Sequence, residues 1–178
     1  MNKHCPKLRQ ELKDIKSQYK AYILAIEKAK ENKDYDPALN LQKTLKQAID
    51  QLKFQLLNHL YNLDPQAFKA KLKERLKLDD IYDFHEGRAR VKDQSGRYYI
   101  DLDGKEITTA RFEVFWDFHE GRAKVKDQSG WYYIDLDGKE ITTARFEYAW
   151  SFYKGRARVR DQSGEYYIDL DGKRIVDK

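Results

Sequence analysis

Two sets of apolar residues near the start of the chain recur at spacings of three and four positions. The first set is Leu8, Leu12, Ile15, Tyr19, Tyr22 and Ile26, and the second is Leu41, Leu45, Ala48, Leu52 and Leu56. This period places each set along one face of an α-helix. Between the two sets, Asp36 can cap the second helix and Pro37 suits its first turn. The pattern therefore predicts an antiparallel helical hairpin with coiled-coil-like packing.

A short third helix follows the hairpin. Asp64 and Pro65 repeat the start signal of the second helix. Phe68, Leu72 and Leu76 are then spaced four apart, which places them on one helical face.

The second part of the chain repeats one pattern nearly three times, with a period of 34 residues. The units span residues 83–116, 117–150 and 151–178. The first two agree at 30 of 34 positions, and the third stops before the equivalent of TTARFEYAW. Glycine and turn signals interrupt every apolar run, so the units cannot be helical pairs. Such a repeat is typical of a stack in which each unit buries the apolar face of its neighbour.

Each unit predicts a small antiparallel β-meander. GRARVK and RYYID both alternate between two kinds of side chain, which predicts two strands joined by the DQSG turn. LDGK indicates a second turn, after which EIT starts a short third strand. The aromatic segment FEVFWDFHE is expected to seal one unit onto the next. The predicted fold class is therefore α+β, with a helical hairpin and third helix before an all-antiparallel β-repeat array.

A DQSG turn also predicts which residues lie opposite each other. The pairs in the first unit are Arg88–Asp101, Arg90–Tyr99 and Lys92–Arg97. In the second unit Lys126 faces Trp131, a cation–π pair. In the third unit Arg160 faces Glu165, a pair of opposite charges.

The balance of charge divides the chain at the end of the third helix. Residues 1–78 contain 17 Lys or Arg against 9 Asp or Glu, whereas residues 79–178 contain 18 against 21. We therefore predict a helical domain over 1–78 and a β-repeat domain over 79–178. No stretch approaches the roughly 18 uncharged apolar residues of a membrane span. The start lacks the apolar core of a secretory signal, so a cytoplasmic location is expected.

No motif in the chain indicates catalysis. DLDG at 101–104 begins like a calcium loop, but Lys105 and Phe112 stand where an EF-hand needs oxygen ligands. The histidines lack zinc-ligand spacing, and Cys5 is the single cysteine. The serines of the DQSG turns have no histidine at a fixed spacing, and phosphate-binding glycine motifs are absent. We expect a non-enzymatic protein without cofactor or metal.

The order F-x-E-G-x-A-x-V, a turn, G-x-Y-Y-I-D and D-G-K resembles the bacterial WG repeats. In the first unit the matching residues are Phe84, Glu86, Gly87, Ala89, Val91, Gly96, Tyr99, Ile100, Asp101, Gly104 and Lys105. The resemblance covers residues 83–176, although Arg97–Tyr98, Trp131–Tyr132 and Glu165–Tyr166 replace the namesake Trp-Gly pair. It implies β-rich structural or protein-interaction modules, often attached to other domains, without catalytic residues.

The cationic and aromatic face of the repeats is the predicted binding surface. It comprises Arg88, Arg90, Tyr99, Arg122, Lys124, Trp131, Tyr133, Arg156, Arg158 and Tyr167. An alternative interpretation is that the arginine side chains stack on tyrosine only to cover the outer face of a thin sheet. Because repeat arrays commonly bind through an extended surface, the leading hypothesis is a scaffold or adaptor that binds a protein partner. A repetitive partner would add avidity.

Two alternatives place the function elsewhere. The lysine excess of residues 1–78, densest in KAKLKERLK at 69–77, fits nucleic acid or an anionic surface, with the repeats as a structural cap. The aromatic face of the repeats fits a glycan. The helical stripes can also pair between chains, which predicts self-association.

Overall fold

A computed structural model of the protein describes residues 6–32 and 35–176. Three helices precede ten strands in this part of the chain, and Cys5 lies outside it. The helices are α1 (Pro6–Asn32), α2 (Asp36–Leu63) and α3 (Pro65–Leu76). The chain divides into two compact units, Met1–Leu63 and Asp64–Lys178. The α+β fold class is confirmed.

The first compact unit is the predicted helical hairpin. Ala29 of α1 and Ala38 and Leu45 of α2 are buried, and of these Leu45 belongs to a predicted stripe. The side chains of Leu8 and Leu12 lie outside the described residues.

Two members of the predicted stripes do not lie in this interface. The side chains of Tyr19 and Leu56 are 54% and 46% exposed, so their assignment to the packed stripe is wrong. Two helices bury only a narrow strip of each other, because residues at its flanks need a third element to cover them.

α3 belongs to the second compact unit. Its first turn is capped by Asp64, whose side chain accepts a 3.0 Å hydrogen bond from the Ala67 N–H. The helix ends at Lys77 in the left-handed conformation, and the Leu78 N–H donates to the Lys73 carbonyl oxygen. This is the Schellman arrangement, which satisfies the last carbonyls of a helix.

The apolar face of α3 covers the first repeat. Its residues pack in one cluster with the first hairpin; the buried members are Leu72, Leu78, Ala89, Val91, Tyr98 and Ile100. The boundary between the compact units therefore falls between Leu63 and Asp64, whereas the charge composition changes near residue 78. The two boundaries differ because the lysines of α3 resemble those of the hairpin, while its apolar face packs on the first repeat.

The second compact unit contains three antiparallel sheets. Their strands are β1 (Asp80–His85), β2 (Arg88–Asp93), β3 (Gly96–Asp101), β4 (Val114–Phe115), β5 (Arg122–Asp127), β6 (Gly130–Asp135), β7 (Tyr148–Ala149), β8 (Arg156–Asp161), β9 (Gly164–Asp169) and β10 (Arg174–Ile175). The spatial orders are β1-β2-β3, β4-β5-β6 and β7-β8-β9-β10. One sheet therefore forms per repeat.

The predicted register is confirmed in all three hairpins. Lys126 and Trp131 lie opposite each other, with the ammonium 6.0 Å from the indole centroid. Arg160 and Glu165 lie opposite each other, as predicted, but each has its ion pair with another residue. Glu165 lies 3.7 Å from Arg158, and Arg160 lies 3.3 Å from Glu147. Glu147, which directly precedes β7, therefore supplies the carboxylate that pairs with Arg160.

The predicted third strand at EIT is wrong for the first two units. Only single bridges, Ile100–Glu106 and Ile134–Glu140, form there, whereas β10 occupies the equivalent place in the third unit. The Thr108 hydroxyl accepts a 3.2 Å hydrogen bond from the Ala110 N–H. Such a local side-chain bond bends the backbone away from the strand edge. The third strand of each sheet comes instead from the aromatic segment, as β1, β4 and β7.

Candidate interaction surface

Both faces of the first two hairpins are covered inside the array. The Ala-Val-Tyr-Ile face of the first hairpin lies against α3. The opposite face contributes Tyr99 to a cluster with the second unit, whose buried members are Tyr99, Phe112, Phe115, Phe118, Ala123, Val125, Tyr132 and Ile134. Tyr133 joins the third unit in the same way. One tyrosine per hairpin therefore connects each unit to the next.

Tyr99 was predicted on an exposed face, and this prediction is wrong. The side chain is fully buried, with ring centroids 5.6, 5.5 and 5.2 Å from those of Phe112, Phe115 and Phe118. Its hydroxyl donates a 2.6 Å hydrogen bond to the Trp116 carbonyl oxygen. Burial raises the pKa of Tyr99 far above its usual range.

Tyr133 repeats this arrangement, so its predicted exposure is also wrong. Its ring centroid lies 5.0 Å from that of Phe152, and its hydroxyl donates to the Trp150 carbonyl oxygen at 2.6 Å. Tyr167, the third equivalent, is 40% exposed. The alternating pattern placed these residues on the correct face, but it could not show that a neighbouring unit covers that face.

Arg88 and Arg122 also join neighbouring units. The Nε of Arg88 donates to the Leu136 carbonyl oxygen, and the Nε of Arg122 donates to that of Leu170, both at 2.9 Å. Arg156 instead holds its guanidinium 4.8 Å from the Tyr167 ring centroid. The first two arginines therefore stabilise the stack, and their side chains are half-buried.

The remaining cations form a ladder with exposed aromatic residues. Arg90 lies over Tyr82 at 4.5 Å, Lys124 over Trp116 at 4.6 Å and Arg158 over Trp150 at 4.1 Å. Burial lowers the pKa of the Lys124 ammonium. We call these six residues the aromatic–cation ladder.

The aromatic members of the ladder are exposed large side chains. Tyr82 is 43% exposed, Trp116 49% and Trp150 37%. This segment was predicted to seal one unit onto the next, and its outer positions were not predicted to be exposed. Their spacing of 34 residues was the available signal. Trp131, which was predicted on the surface, is half-buried and packs against the core of the third unit.

The DQSG turns have a structural role. Asp93 accepts hydrogen bonds from the Ser95 N–H at 2.7 Å, the Ser95 hydroxyl at 2.6 Å and the Tyr98 hydroxyl at 2.8 Å. The bond from the Ser95 hydroxyl is the main cause that lowers the Asp93 pKa. Arg111 lies 4.0 Å over the Tyr98 ring and donates to the Ser95 hydroxyl. The same Asp-Ser-Tyr-Arg set recurs with Arg145 and Arg174, and neither arginine was predicted to have this role.

Two further observations concern the described residues only. Nowhere in 6–32 or 35–176 do three or more His, Cys, Asp or Glu side chains gather as a metal site would require. Within the same ranges, every helix is too short or too polar to cross a membrane.

Comparison with known proteins identifies one family. Its model, described as WG containing repeat, matches residues 76–98, 99–131 and 133–166, about half of the chain. The match confirms the resemblance that the repeat residues predicted. No curated protein and no solved structure matches the chain.

Proposed function

Because the chain belongs to the WG containing repeat family, we propose that it is a non-enzymatic scaffold whose repeats bind a protein partner through the aromatic–cation ladder. The observation that carries this proposal is the set of three exposed aromatic side chains, spaced 34 residues apart and each stacked by a cation. Aromatic residues and arginine are enriched in the centres of protein interfaces. Stacking also holds each side chain in one conformation, which lowers the entropy lost on binding.

The charge of the repeats favours a protein over a polyanion. Residues 79–178 carry more acidic than basic side chains, 21 against 18. A nucleic acid would be repelled by this balance, although the lysines of residues 1–78 would not repel it. A glycan stacks on an open ring face, and the ladder cations leave at most one face of each aromatic ring for it.

Equal spacing gives the ladder a multivalent character. Three similar contacts on one rigid array bind a repetitive partner more tightly than one contact does, because the second and third contacts form within one complex. We therefore expect the partner to present an extended or repeated segment.

The test is a pull-down with the full chain as bait from a nuclease-treated lysate of the organism that makes it. The variants are Trp116→Ala with Trp150→Ala, and Tyr153→Ala as the control. Tyr153 is 68% exposed, more than either tryptophan, and lies outside the ladder, so the control removes an accessible aromatic side chain that the proposal does not use. We expect a discrete protein, retained in moderate salt by the wild type and the control but lost from the double variant.

Other results would favour the alternatives. Material that nuclease or salt releases, and that the double variant still retains, would assign binding to nucleic acid on the lysine-rich helices. Retention of the chain on a polysaccharide resin, lost in the double variant, would assign the ladder to glycans. A protein retained equally by all three baits would contradict the role of the ladder. Circular dichroism of each variant checks that the fold is kept.

A further inference from the structure

The junction between the first and second units includes an ion pair, a ring contact and a bound carboxylate. In the ion pair, the Asp117 carboxylate accepts hydrogen bonds from Arg90, at 2.7 Å from Nε and 3.2 Å from Nη2. In the ring contact, Phe118 packs on Tyr99 with the ring centroids 5.2 Å apart. Both residues of the second unit directly precede the turn that holds the carboxylate.

The bound carboxylate is held by the backbone of that turn. The Glu86 side chain accepts from two adjacent N–H groups, those of Glu120 at 2.8 Å and Gly121 at 2.7 Å. At the next junction the Glu120 side chain accepts from the N–H groups of Lys154 and Gly155, both at 2.7 Å. We call the two N–H groups of such a turn its N–H pair. The same ligand, a carboxylate, therefore occupies the N–H pair of the second and of the third unit.

α3 takes the place of a preceding unit for the ion pair and the ring contact of the first unit. Lys69 of α3 pairs with Asp83, and Phe68 lies edge-on to Phe84 with the ring centroids 5.9 Å apart. Asp83 and Phe84 are the first-unit equivalents of the residues that make the ion pair and the ring contact in the second unit. The helix thus reproduces two of the three contacts.

The third contact is not made in the first unit. Glu86 and Gly87 have φ of 51° and 76°, against 54° and 74° for Glu120 and Gly121, so the two turns have the same backbone. Among the described residues, none accepts a hydrogen bond from the N–H of Glu86 or Gly87. Glu86 is exposed and Gly87 half-buried, so a ligand can reach this N–H pair from solvent.

The charges beside the first N–H pair also match those beside the second. Arg88 Nη1 donates to the Gly87 carbonyl oxygen at 3.1 Å, and Arg122 Nη1 donates to the Gly121 carbonyl oxygen at 2.9 Å. Each guanidinium adds positive charge next to N–H groups that already attract an anion. The Glu86 carboxylate is held at the next turn, as described above, and does not occupy the pair of its own turn.

We propose that the N–H pair of Glu86 and Gly87 is a binding site for a carboxylate of a partner protein, either an acidic side chain or a chain terminus. Adjacent backbone N–H groups capture terminal carboxylates in other peptide-recognition sites. α3 already covers the apolar face of the first hairpin, so the ligand is a single carboxylate group and not another repeat. The site uses backbone groups and none of the ladder side chains.

A second copy of this chain is a poorer source of the carboxylate when it stacks by its third unit. Lys154 stands there at the position of Glu86 and Glu120. Its ammonium would be repelled by the N–H pair and by the guanidinium of Arg88.

Amide NMR of the full chain reads the N–H pair directly, with sodium acetate as the probe and sodium chloride at equal ionic strength as the reference. We expect the amide protons of Glu86 and Gly87 to shift downfield together and to saturate, because a charge-assisted hydrogen bond is short and deshields its proton. The amide proton of Gly121, which the Glu86 carboxylate already binds, should stay in place. Equal shifts of Gly87 and Gly121, or no shift of Gly87, would overturn the proposal.

Glu120→Ala supplies the positive control, because it empties an N–H pair of the same geometry. The amide proton of Gly155 loses its 2.7 Å bond in this variant and should shift upfield, and acetate should then return it downfield. A response of Gly155 in the variant without one of Gly87 would show that the first turn does not bind the ligand that its equivalent binds, and would overturn the proposal.

Three peptides distinguish the two sources of the carboxylate. Acetylated and amidated Gly-Gly-Glu-Gly-Gly carries a side-chain carboxylate, and acetylated pentaglycine with a free C-terminus carries a terminal one. Acetylated and amidated Gly-Gly-Gln-Gly-Gly carries neither and should leave the amide proton of Gly87 in place. The peptide that reproduces the acetate shift identifies the source. Failure of both acidic peptides, or an equal shift with the glutamine peptide, would overturn the proposal.

Discussion

The Glu86 carboxylate accepts a 2.7 Å hydrogen bond from the backbone N–H of Gly121, which lies one repeat further along the chain. The same carboxylate accepts a 2.8 Å bond from the Glu120 N–H. Glu120 and Gly121 both have positive φ, 54° and 74°, so their N–H groups point together and form an anion site. Glu120 in turn accepts from Lys154 and Gly155 at 2.7 Å. We call this arrangement the carboxylate clamp. It links each unit to the next, and it ends at the third unit because Lys154 stands there in place of the glutamate.

Replacing the clamp glutamate should destabilise the array. We expect Glu120→Ala to lower the free energy of unfolding by roughly 1–2 kcal/mol, because two charge-assisted hydrogen bonds are lost at an exposed site. Lys154→Ala is the matched control, since Lys154 has nearly the same φ, 53°, but enters the clamp only through its backbone N–H, which the substitution keeps. It should change stability by less than about 0.5 kcal/mol. Urea unfolding of both variants makes the comparison, and equal effects would show that turn geometry outweighs the clamp.

The tyrosine hydroxyl should contribute to the free energy of unfolding only in the hairpins where residues 112–118 or 146–152 cover the tyrosine ring. Tyr99→Phe leaves the Trp116 carbonyl oxygen without its 2.6 Å donor and should cost about 1 kcal/mol. Tyr167→Phe removes the equivalent hydroxyl from an exposed ring and should be neutral within about 0.5 kcal/mol. Thermal unfolding of the two variants tests this difference. A larger loss for Tyr167→Phe would contradict it.

α3 should stabilise the repeats rather than the hairpin. All three tryptophans lie in the repeats, so their fluorescence follows the unfolding of this unit. Leu72→Ala removes a buried side chain that packs on the first hairpin and should cost about 2–4 kcal/mol in the tryptophan-detected transition.

The control for this prediction is Leu45→Ala, which empties an equally buried site in α2. It should lower the helical signal in far-ultraviolet circular dichroism and leave the tryptophan transition in place. A tryptophan transition that Leu45→Ala shifts as far as Leu72→Ala does would mean that the two compact units unfold together.

Alkaline pH should unfold the repeats. Burial raises the pKa of Tyr132 and Tyr166 to about 12, and it also raises the pKa of Tyr99 and Tyr133. The unfolded chain loses these phenolic protons near pH 10, whereas the native state retains them. Their stabilising effect is complete below about pH 10 and is lost as the pH rises towards the native pKa values, by about 1.4 kcal/mol per pH unit for each tyrosine.

Urea midpoints measured from about pH 9 to about pH 12 check this prediction, since the unfolded tyrosines titrate within that range. Tyr132→Phe removes one of the retained protons and should reduce the pH dependence. Stability that stays constant up to about pH 11 would contradict the assignment of these tyrosines to the native core.

Short-range patterns predicted much of the local structure. The DQSG turn placed Arg88 opposite Asp101 and Lys126 opposite Trp131, because a turn of known length determines which residues pair across a hairpin. The strand from EIT failed in the first two units, since the local Thr108 bond competes with strand pairing. Arg160 lies opposite Glu165 as the turn predicts, but its ion pair forms with Glu147, which belongs to another segment.

The sequence by itself determined the period of 34 residues, the helical hairpin, the strand register and the membership of the repeat family. These features depend on contacts between residues that are close along the chain, or on a pattern that recurs in it. Only the tertiary structure decided that Tyr99 is buried, that Tyr167 is exposed, and that α3 covers the first repeat. Alternation assigns a side chain to one face of a sheet, but its burial depends on the element that packs on that face. That element comes from a different repeat or helix, which the strand's own pattern does not encode.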